Sequence, residues 1–314
     1  MAQGVESEIL TDTLAMIKVA NAPCSWGVLE FELDGEAAGF EQVLDEMRET
    51  GYAGTELGDW GFMPTDPAQL SEVLEERGLL LLGAFIPVSW TDAVKRDEAL
   101  DSALRTAMLM RDAGSSEAFM VLADDNGADS VRTAKAGRVS QGDGWSSNQW
   151  KSVTQSINRF ARSILEETGL RSVFHHHAAG FVETPDEVET LLKGTDPNLV
   201  GLVLDMGHFT FGGGDPLPFL QAHGDRIWHV HFKDCHPKIA QRSREYEWDY
   251  FESVRQGVFC KLGEGEVDFP AIVAELKRQG YDDWIVVEQD VLPGMGDPRA
   301  CAQHNRDYLK GLGL

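Results

Sequence analysis

The chain is 314 residues long and carries 27 Lys and Arg against 52 Asp and Glu, a formal net charge of −25. A surface this acidic, with no stretch dense in Lys or Arg, argues against a nucleic-acid binder, whose affinity rests on counterion release to basic groups, and against docking on anionic lipid. Hydrophobic residues at 42% and charged residues at 25% describe an ordinary folded globule, not a disordered chain.

Residues 1–16 contain no Lys or Arg and no apolar run of the secretory-leader type, so they read as an N-terminal extension. Beyond them the chain alternates. Short apolar or β-branched runs predict strands at Lys18–Ser25, Tyr52–Leu57, Leu79–Phe85, Ala118–Leu122, Arg171–His177, Val200–Asp205, Arg226–Phe232 and Trp284–Glu288. Amphipathic stretches between them predict helices at Phe40–Thr50, Pro67–Arg77, Asp92–Ala113, Trp150–Thr168, Pro185–Lys193 and Phe269–Gln279. The last has Asp268 as its cap, Pro270 in its first turn and Gly280 at its stop.

Eight strands separated by helices imply parallel pairing through βα crossovers, and eight such units close as a single α/β (β/α)8 TIM barrel spanning residues 1–314. A doubly wound open sheet is the competing architecture, but the turn after the first strand reads Cys24-Ser25-Trp26-Gly27, without the glycine fingerprint of dinucleotide folds. The most apolar window, Gly78–Val88, is too short to span a bilayer. Cys24, Cys235, Cys260 and Cys301 are widely spaced and read as free thiols in a reducing, cytoplasmic setting. Two long polar connections, 124–148 and 233–266, leave the C-terminal ends of strands, where barrel enzymes build their sites, and read as loops without structure of their own, either solvated excursions or, for one or both, a lid. Arg132, Lys135 and Arg138 form a basic patch in the first, expected to face solvent or a phosphate.

Histidines and acids cluster at strand ends. Alternate strand residues share a face, and one choice of face sends His175, His177, Asp205, His231 and Glu288 to the barrel axis together. Two imidazoles and two carboxylates, His175, Asp205, His231 and Glu288, suit one divalent metal ion, with Mn or Co favoured and Zn or Fe possible. A buried histidine alone is an ordinary hydrogen-bonding group. Five ligand-type residues from four consecutive strands are costly to bury without a role.

The run Asp205-Met206-Gly207-His208, the segment His229-Val230-His231-Phe232-Lys233-Asp234, and Gly263-Glu264-Gly265-Glu266-Val267-Asp268-Phe269 followed by Trp284–Glu288 resemble the sugar isomerase/epimerase superfamily of xylose-isomerase-like TIM barrels. Asn21–Gly27 and Gly51–Gly58 agree. Within that superfamily, His175-His176-His177 and the run Phe251–Phe269 are most similar to the inosose dehydratases. The resemblance extends over Ile17 to about Tyr308. It implies metal ligands at Asp205, His231 and Glu288, and a substrate-contacting His208. At the fifth-strand position the epimerases carry a Glu and this chain has His175, which disfavours a symmetrical two-carboxylate epimerisation and favours elimination.

The expected activity is therefore dehydration of a keto-inositol or related polyhydroxy ketone, by α-proton abstraction and loss of the β-hydroxyl. His177, Lys233, Glu288 and Glu56 are the candidates for acid and base work, with Glu56 open to a simple rim salt bridge and Lys233 to a solvated strand end. Trp26 and Trp60 are candidate stacking surfaces for a ring substrate, as is Trp90 more weakly. A ketose 3-epimerase or aldose–ketose isomerase with the same metal, and a non-catalytic sugar-binding barrel, remain open alternatives. The expected partner is a small neutral polyol, not nucleic acid or membrane, and a homo-oligomer is left open.

Overall fold

A computed structural model describes residues 17–28, 38–292 and 295–314, so the N-terminal extension expected at 1–16 lies outside the described residues. Seven strands, β1 (Lys18–Asn21), β2 (Gly54–Glu56), β3 (Leu80–Val88), β4 (Phe119–Asp124), β5 (Arg171–His175), β6 (Val200–Asp205) and β7 (Ile227–Phe232), lead to a short ribbon of β8 (Asp234–Cys235) and β9 (Phe259–Cys260), and then to β10 (Trp284–Val287). β10 closes the circle, giving the parallel barrel β1-β10-β7-β6-β5-β4-β3-β2. The architecture is the (β/α)8 barrel that the alternation predicts.

Around it, in chain order, stand α1 (Phe40–Thr50), α2 (Pro67–Arg77), α3 (Ala93–Asp112), α4 (Ser130–Ala134), α5 (Ser147–Thr168), α6 (Pro185–Gly194), α7 (Met206–Phe211), α8 (Pro216–His223), α9 (Pro237–Glu245), α10 (Tyr250–Arg255), α11 (Phe269–Gln279) and α12 (Pro298–Gly311). Part of the acid excess starts these helices. Asp66, Asp92, Asp129, Asp205, Asp215, Asp249, Asp268 and Asp297 each accept a first-turn backbone N–H. Each such cap contributes about 1 kcal/mol and places negative charge at the positive end of the helix dipole.

Strand residues facing outward join the helices in the main core, while Val121, Val173 and Val203, all fully buried, fill the barrel interior with Phe119. These valines lie two residues before Ala123, His175 and Asp205, so they form a dry layer beneath the polar groups at the C-terminal rim.

Three details differ from the sequence reading. β1 stops at Asn21, because Pro23 cannot donate to the ladder and Pro23–Trp26 winds into a 3-10 turn. β5 stops at His175, and the chain turns just beyond, where the N–H of His177 bonds the carbonyl of Val182. The two long connections are not unstructured. Residues 124–148 contain α4 and a 3-10 turn, and 233–266 contain the β8–β9 ribbon with α9 and α10.

The second connection is anchored by Asp234, whose carboxylate accepts backbone N–H groups of Cys235, Gly263, Gly265 and Val267 at 2.8–3.2 Å. A Cβ on Gly265 would lie 2.1 Å from Asp234 Oδ1, so only glycine lets the backbone reach the acid there. In the first connection Arg132 is internal rather than solvent-facing, while the Lys135 side chain keeps 44% of its surface exposed. Arg132 is fully buried, with both terminal nitrogens on Glu187 at 2.8 and 2.9 Å and its Nε on the carbonyl of Gly180. Lys135 pairs with Asp143, and Arg138 reaches the Trp248 carbonyl. Arg132 is thus taken up by Glu187 and is not offered to a phosphate.

Candidate functional site

The rim of the barrel brings His175, Asp205, His231 and Glu288 together, with one donor atom from each lying within 4.8 Å of all the others. Register and parity make this possible. Asp205 is opposite His231 on β7, and His231 is opposite Val286, two residues before Glu288. A register shift between Leu202 and Val203 produces the first match. Asp205 Oδ2 stands 3.8 Å from His175 Nε2 and 3.9 Å from His231 Nδ1, and His231 Nδ1 is 3.3 Å from Glu288 Oε1.

Asp205 Oδ2 and His231 Nδ1 are buried and have no hydrogen-bond partner among the described residues. Ligand bonds of 2.0–2.2 Å to one central ion put neighbouring donor atoms about 3–4 Å apart. The spacing and the unmatched lone pairs therefore fit a divalent cation, and the mixed N/O donor set suits Mn, Co, Fe or Zn.

The remaining atoms of these ligands are tied down. Asp205 Oδ1 caps α7, accepting the N–H of His208 at 2.7 Å. His231 Nε2 donates to Glu56 Oε1 at 3.1 Å, and His229 Nε2 donates to the same oxygen at 2.9 Å. Because a carboxylate only accepts, both Nε2 atoms carry hydrogen and Nδ1 is the face His231 turns to the cluster. Burial opposes charge at His231, but Glu288 and Glu56 outweigh it and push its pKa up to about 10. The acids thus demand a positive charge at this point, and a cation binding there displaces the His231 proton. Burial likewise opposes ionisation of Glu56, yet His231 and His229 hold it down at about 2.

Beside the cluster lies Lys233, almost fully buried, with Nζ 2.7 Å from Asp290 Oδ1, 2.8 Å from His208 Nε2, 3.2 Å from Glu288 Oε2 and 3.7 Å from Asp205 Oδ2. Burial disfavours its charge, but Asp290, Asp205 and Glu288 prevail and hold its pKa well above the usual lysine value. It is not a solvated strand end. Gly207 makes room for it, since a Cβ there would sit 2.6 Å from Lys233 Cγ. His177 contrasts with it. Burial, reinforced by neighbouring His175, lowers its pKa to about 4, so its imidazole is neutral at neutral pH. Its Nδ1 donates to the Ala178 carbonyl at 2.5 Å, which leaves Nε2 as the basic nitrogen.

A cleft opens over the cluster, bordered by His175, His177, Lys233, Glu288, Asp290 and Tyr250, with Glu56 and Cys24 also on its wall. Other residues singled out from the sequence stand apart from it. His208 is fully buried behind Lys233, its ring 3.7 Å from that of His177. Trp26 is turned away from the cleft because its indole N–H donates to Glu46 on α1 at 2.7 Å. Trp60 is partly exposed and carries the Arg105 guanidinium 4.1 Å over its ring, and Trp90 is buried against Phe160 and Phe174.

The sequence reading missed Asp290 and Tyr250. Asp290 is the next residue of the same parity after Glu288, a signal that was available. Tyr250 sits in the inserted helices, where periodicity says nothing about a site. His229 shares the strand parity of His231, and the structure gives it Glu56 as partner.

The chain belongs to the xylose isomerase-like TIM barrel family, whose model matches residues 35–312. Its relatives include inosose dehydratase of Geobacillus kaustophilus (strain HTA426), 32% identical over 300 residues and 96% of each chain. They also include the rhizopine catabolism protein MocC of Rhizobium meliloti, 33% identical over 303 residues, 95% of this chain and 89% of that protein. Among solved structures, the probable 3-DHS dehydratase AsbF of Bacillus anthracis superposes with a TM-score of 0.68 at 15% identity, covering 94% of this chain and 99% of that one. The IOLI protein with a binding zinc atom superposes at 0.66 and 17% identity, covering 94% and 98%. No helix among the described residues is long and apolar enough to cross a membrane.

Proposed function

We propose that this chain is a metal-dependent carbon–oxygen lyase that dehydrates a keto-inositol or a closely related polyhydroxy ketone. The observation that carries the reading is the buried cluster of His175, Asp205, His231 and Glu288, placed next to a neutral imidazole at the floor of one cleft. The inosose dehydratase relative at 32% identity, matched over nearly its whole length, supports the substrate class. The cleft wall carries the carboxyl groups of Glu56, Asp59, Glu288 and Asp290 against the single cation of Lys233, which suits a neutral polyol better than a sugar phosphate.

In this reading His175, Asp205, His231 and Glu288 hold one divalent ion, Mn(II) or Co(II) being the favoured choices. Bound there, the ion supplies Lewis acidity and a template for a ketone and its neighbouring hydroxyl. Glu56, backed by His229, fixes the His231 ring and its tautomer. His177 takes the α-proton at Nε2. The C–H electron pair first moves onto the ketone to give an enolate; as the enolate collapses, the new C=C bond forms, the β C–O bond breaks, and the proton held by His177 leaves with the hydroxyl as water. Lys233 presents a fixed positive charge to the oxygen that becomes negative as the proton departs. With imidazole rather than carboxylate at position 175, the symmetrical pair of carboxylates that epimerisation would use is incomplete, which favours elimination over epimerisation.

The test is incubation of purified protein with scyllo-inosose and Mn(II) or Co(II), followed by absorbance of the diketone product. Turnover that disappears with a chelator and returns with metal is the expected result. No turnover with any divalent metal would sink the proposal. Exchange of the α-hydrogen with solvent without loss of water would instead mark an epimerase or isomerase.

A further inference from the structure

Lys233 is held more completely than a charge at a cleft wall requires. Its ammonium has three N–H bonds, and Asp290 Oδ1, His208 Nε2 and Glu288 Oε2 stand at 2.7, 2.8 and 3.2 Å. Asp290 is itself restrained, because Tyr250 Oη donates to its other oxygen at 2.8 Å. Tyr250 belongs to α10, and Phe259 of β9 lays its ring 5.0 Å from Lys233 Nζ. Both therefore come from the same connection, 233–266, which begins at the lysine and folds back over it. Tyr250 is buried, yet it borders the cleft and packs against the His177 ring at 5.5 Å.

We propose that Tyr250 and Asp290 are positioning residues that lock the Lys233 ammonium beside the metal-ligand cluster, so that the inserted connection fixes a charge in the active site. An ammonium hydrogen-bonded to Asp290 and His208 and ion-paired with Glu288 acts by its field rather than as a proton donor or acceptor. Removal of the Tyr250 hydroxyl strips a buried carboxylate oxygen of its donor. Asp290 then rotates, and the three-way hold on Lys233 loosens. The inference rests on the dehydratase reading for its kinetic consequence, but the lock itself is a property of the folded chain.

The experiment compares the unmodified protein with Tyr250→Phe and Asp290→Asn, measuring kcat and KM on scyllo-inosose with Mn(II), Mn(II) affinity, and, with diamagnetic Zn(II) in place of Mn(II), the side-chain ammonium resonance of Lys233 in protein labelled with 15N-lysine. That resonance is assigned by its loss in Lys233→Arg. In Tyr250→Phe, which removes one oxygen and keeps the ring packing, kcat is expected to fall about tenfold, the scale of one hydrogen bond to a charged group. KM and metal affinity stay within about twofold, the margin a remote packing change allows. The slowly exchanging Lys233 signal of the unmodified protein is expected to be lost to solvent exchange. Asp290→Asn moves both readouts further in the same direction. Unchanged kcat together with a still-protected resonance in Tyr250→Phe would overturn the proposal. So would a rise in KM at constant kcat, which would make Tyr250 a simple wall of the substrate pocket. Absence of turnover in the unmodified protein would overturn the dehydratase reading alone, and the resonance would still decide the lock.

Discussion

Glu56→Gln keeps the size of the side chain and removes one negative charge next to the metal-ligand cluster. In the structure Glu56 Oε1 accepts Nε2–H from His231 at 3.1 Å and from His229 at 2.9 Å. A hydrogen bond to a charged acceptor contributes about 1.5–3 kcal/mol, and one to a neutral amide about 1 kcal/mol. The two bonds together therefore weaken by about 2 kcal/mol. Only the His231 bond bears directly on the ligand face, so about 1–2 kcal/mol should reach the metal, a loss of about 5- to 30-fold in affinity. Calorimetric titration of Mn(II) at pH 7.5 into the unmodified protein, Glu56→Gln and Asp205→Asn measures it. Asp205→Asn removes a charge whose Oδ2 has no hydrogen-bond partner among the described residues, and it is expected to abolish tight binding. A Glu56→Gln protein that binds Mn(II) within twofold of the unmodified one would refute the claim that Glu56 orients His231 for the metal.

His177→Gln is expected to lower kcat at least about a hundredfold, the usual yield of a general base, while Mn(II) affinity holds. Equal losses in both would move His177 into the ligand set. Arg132→Met leaves Glu187 without its buried bidentate partner and is expected to destabilise the fold by about 3–5 kcal/mol in urea unfolding; a change below about 1 kcal/mol would mean the pair is solvated. Burial pushes the carboxyl of Asp124 up to about 7. Its unfolded form ionises near pH 4, so its contribution is fully present below that and is lost as pH rises towards 7. The unmodified protein should therefore gain about 2–3 kcal/mol relative to Asp124→Asn between pH 8 and pH 5. Using the difference between the two proteins removes the opposing trend of the buried neutral histidines, and a difference that does not change with pH would count against the shift.

Much of the architecture is local information. Short apolar runs mark the strands and a period near 3.6 the longer helices, and α1, α2 and α11 begin and end where the sequence predicts. Strand parity also sends His175, Asp205, His231 and Glu288 to one face, because side-chain direction along a strand is fixed by the pleat. The tertiary structure decided what no local pattern encodes. Barrel closure brings Glu56 on β2 against His229 and His231, more than 170 residues later. The register shift between Leu202 and Val203 aligns Asp205 with His231. The fold of the 233–266 connection around Asp234 delivers Tyr250 to Asp290 and buries Lys233. It was also tertiary packing that turned Trp26 toward Glu46 and buried Arg132 against Glu187. The sequence fixes which way each side chain points from its own strand, since that depends on a residue's immediate neighbours. Which groups then meet depends on closure, register and loop path, and these are set by burial summed over the whole chain.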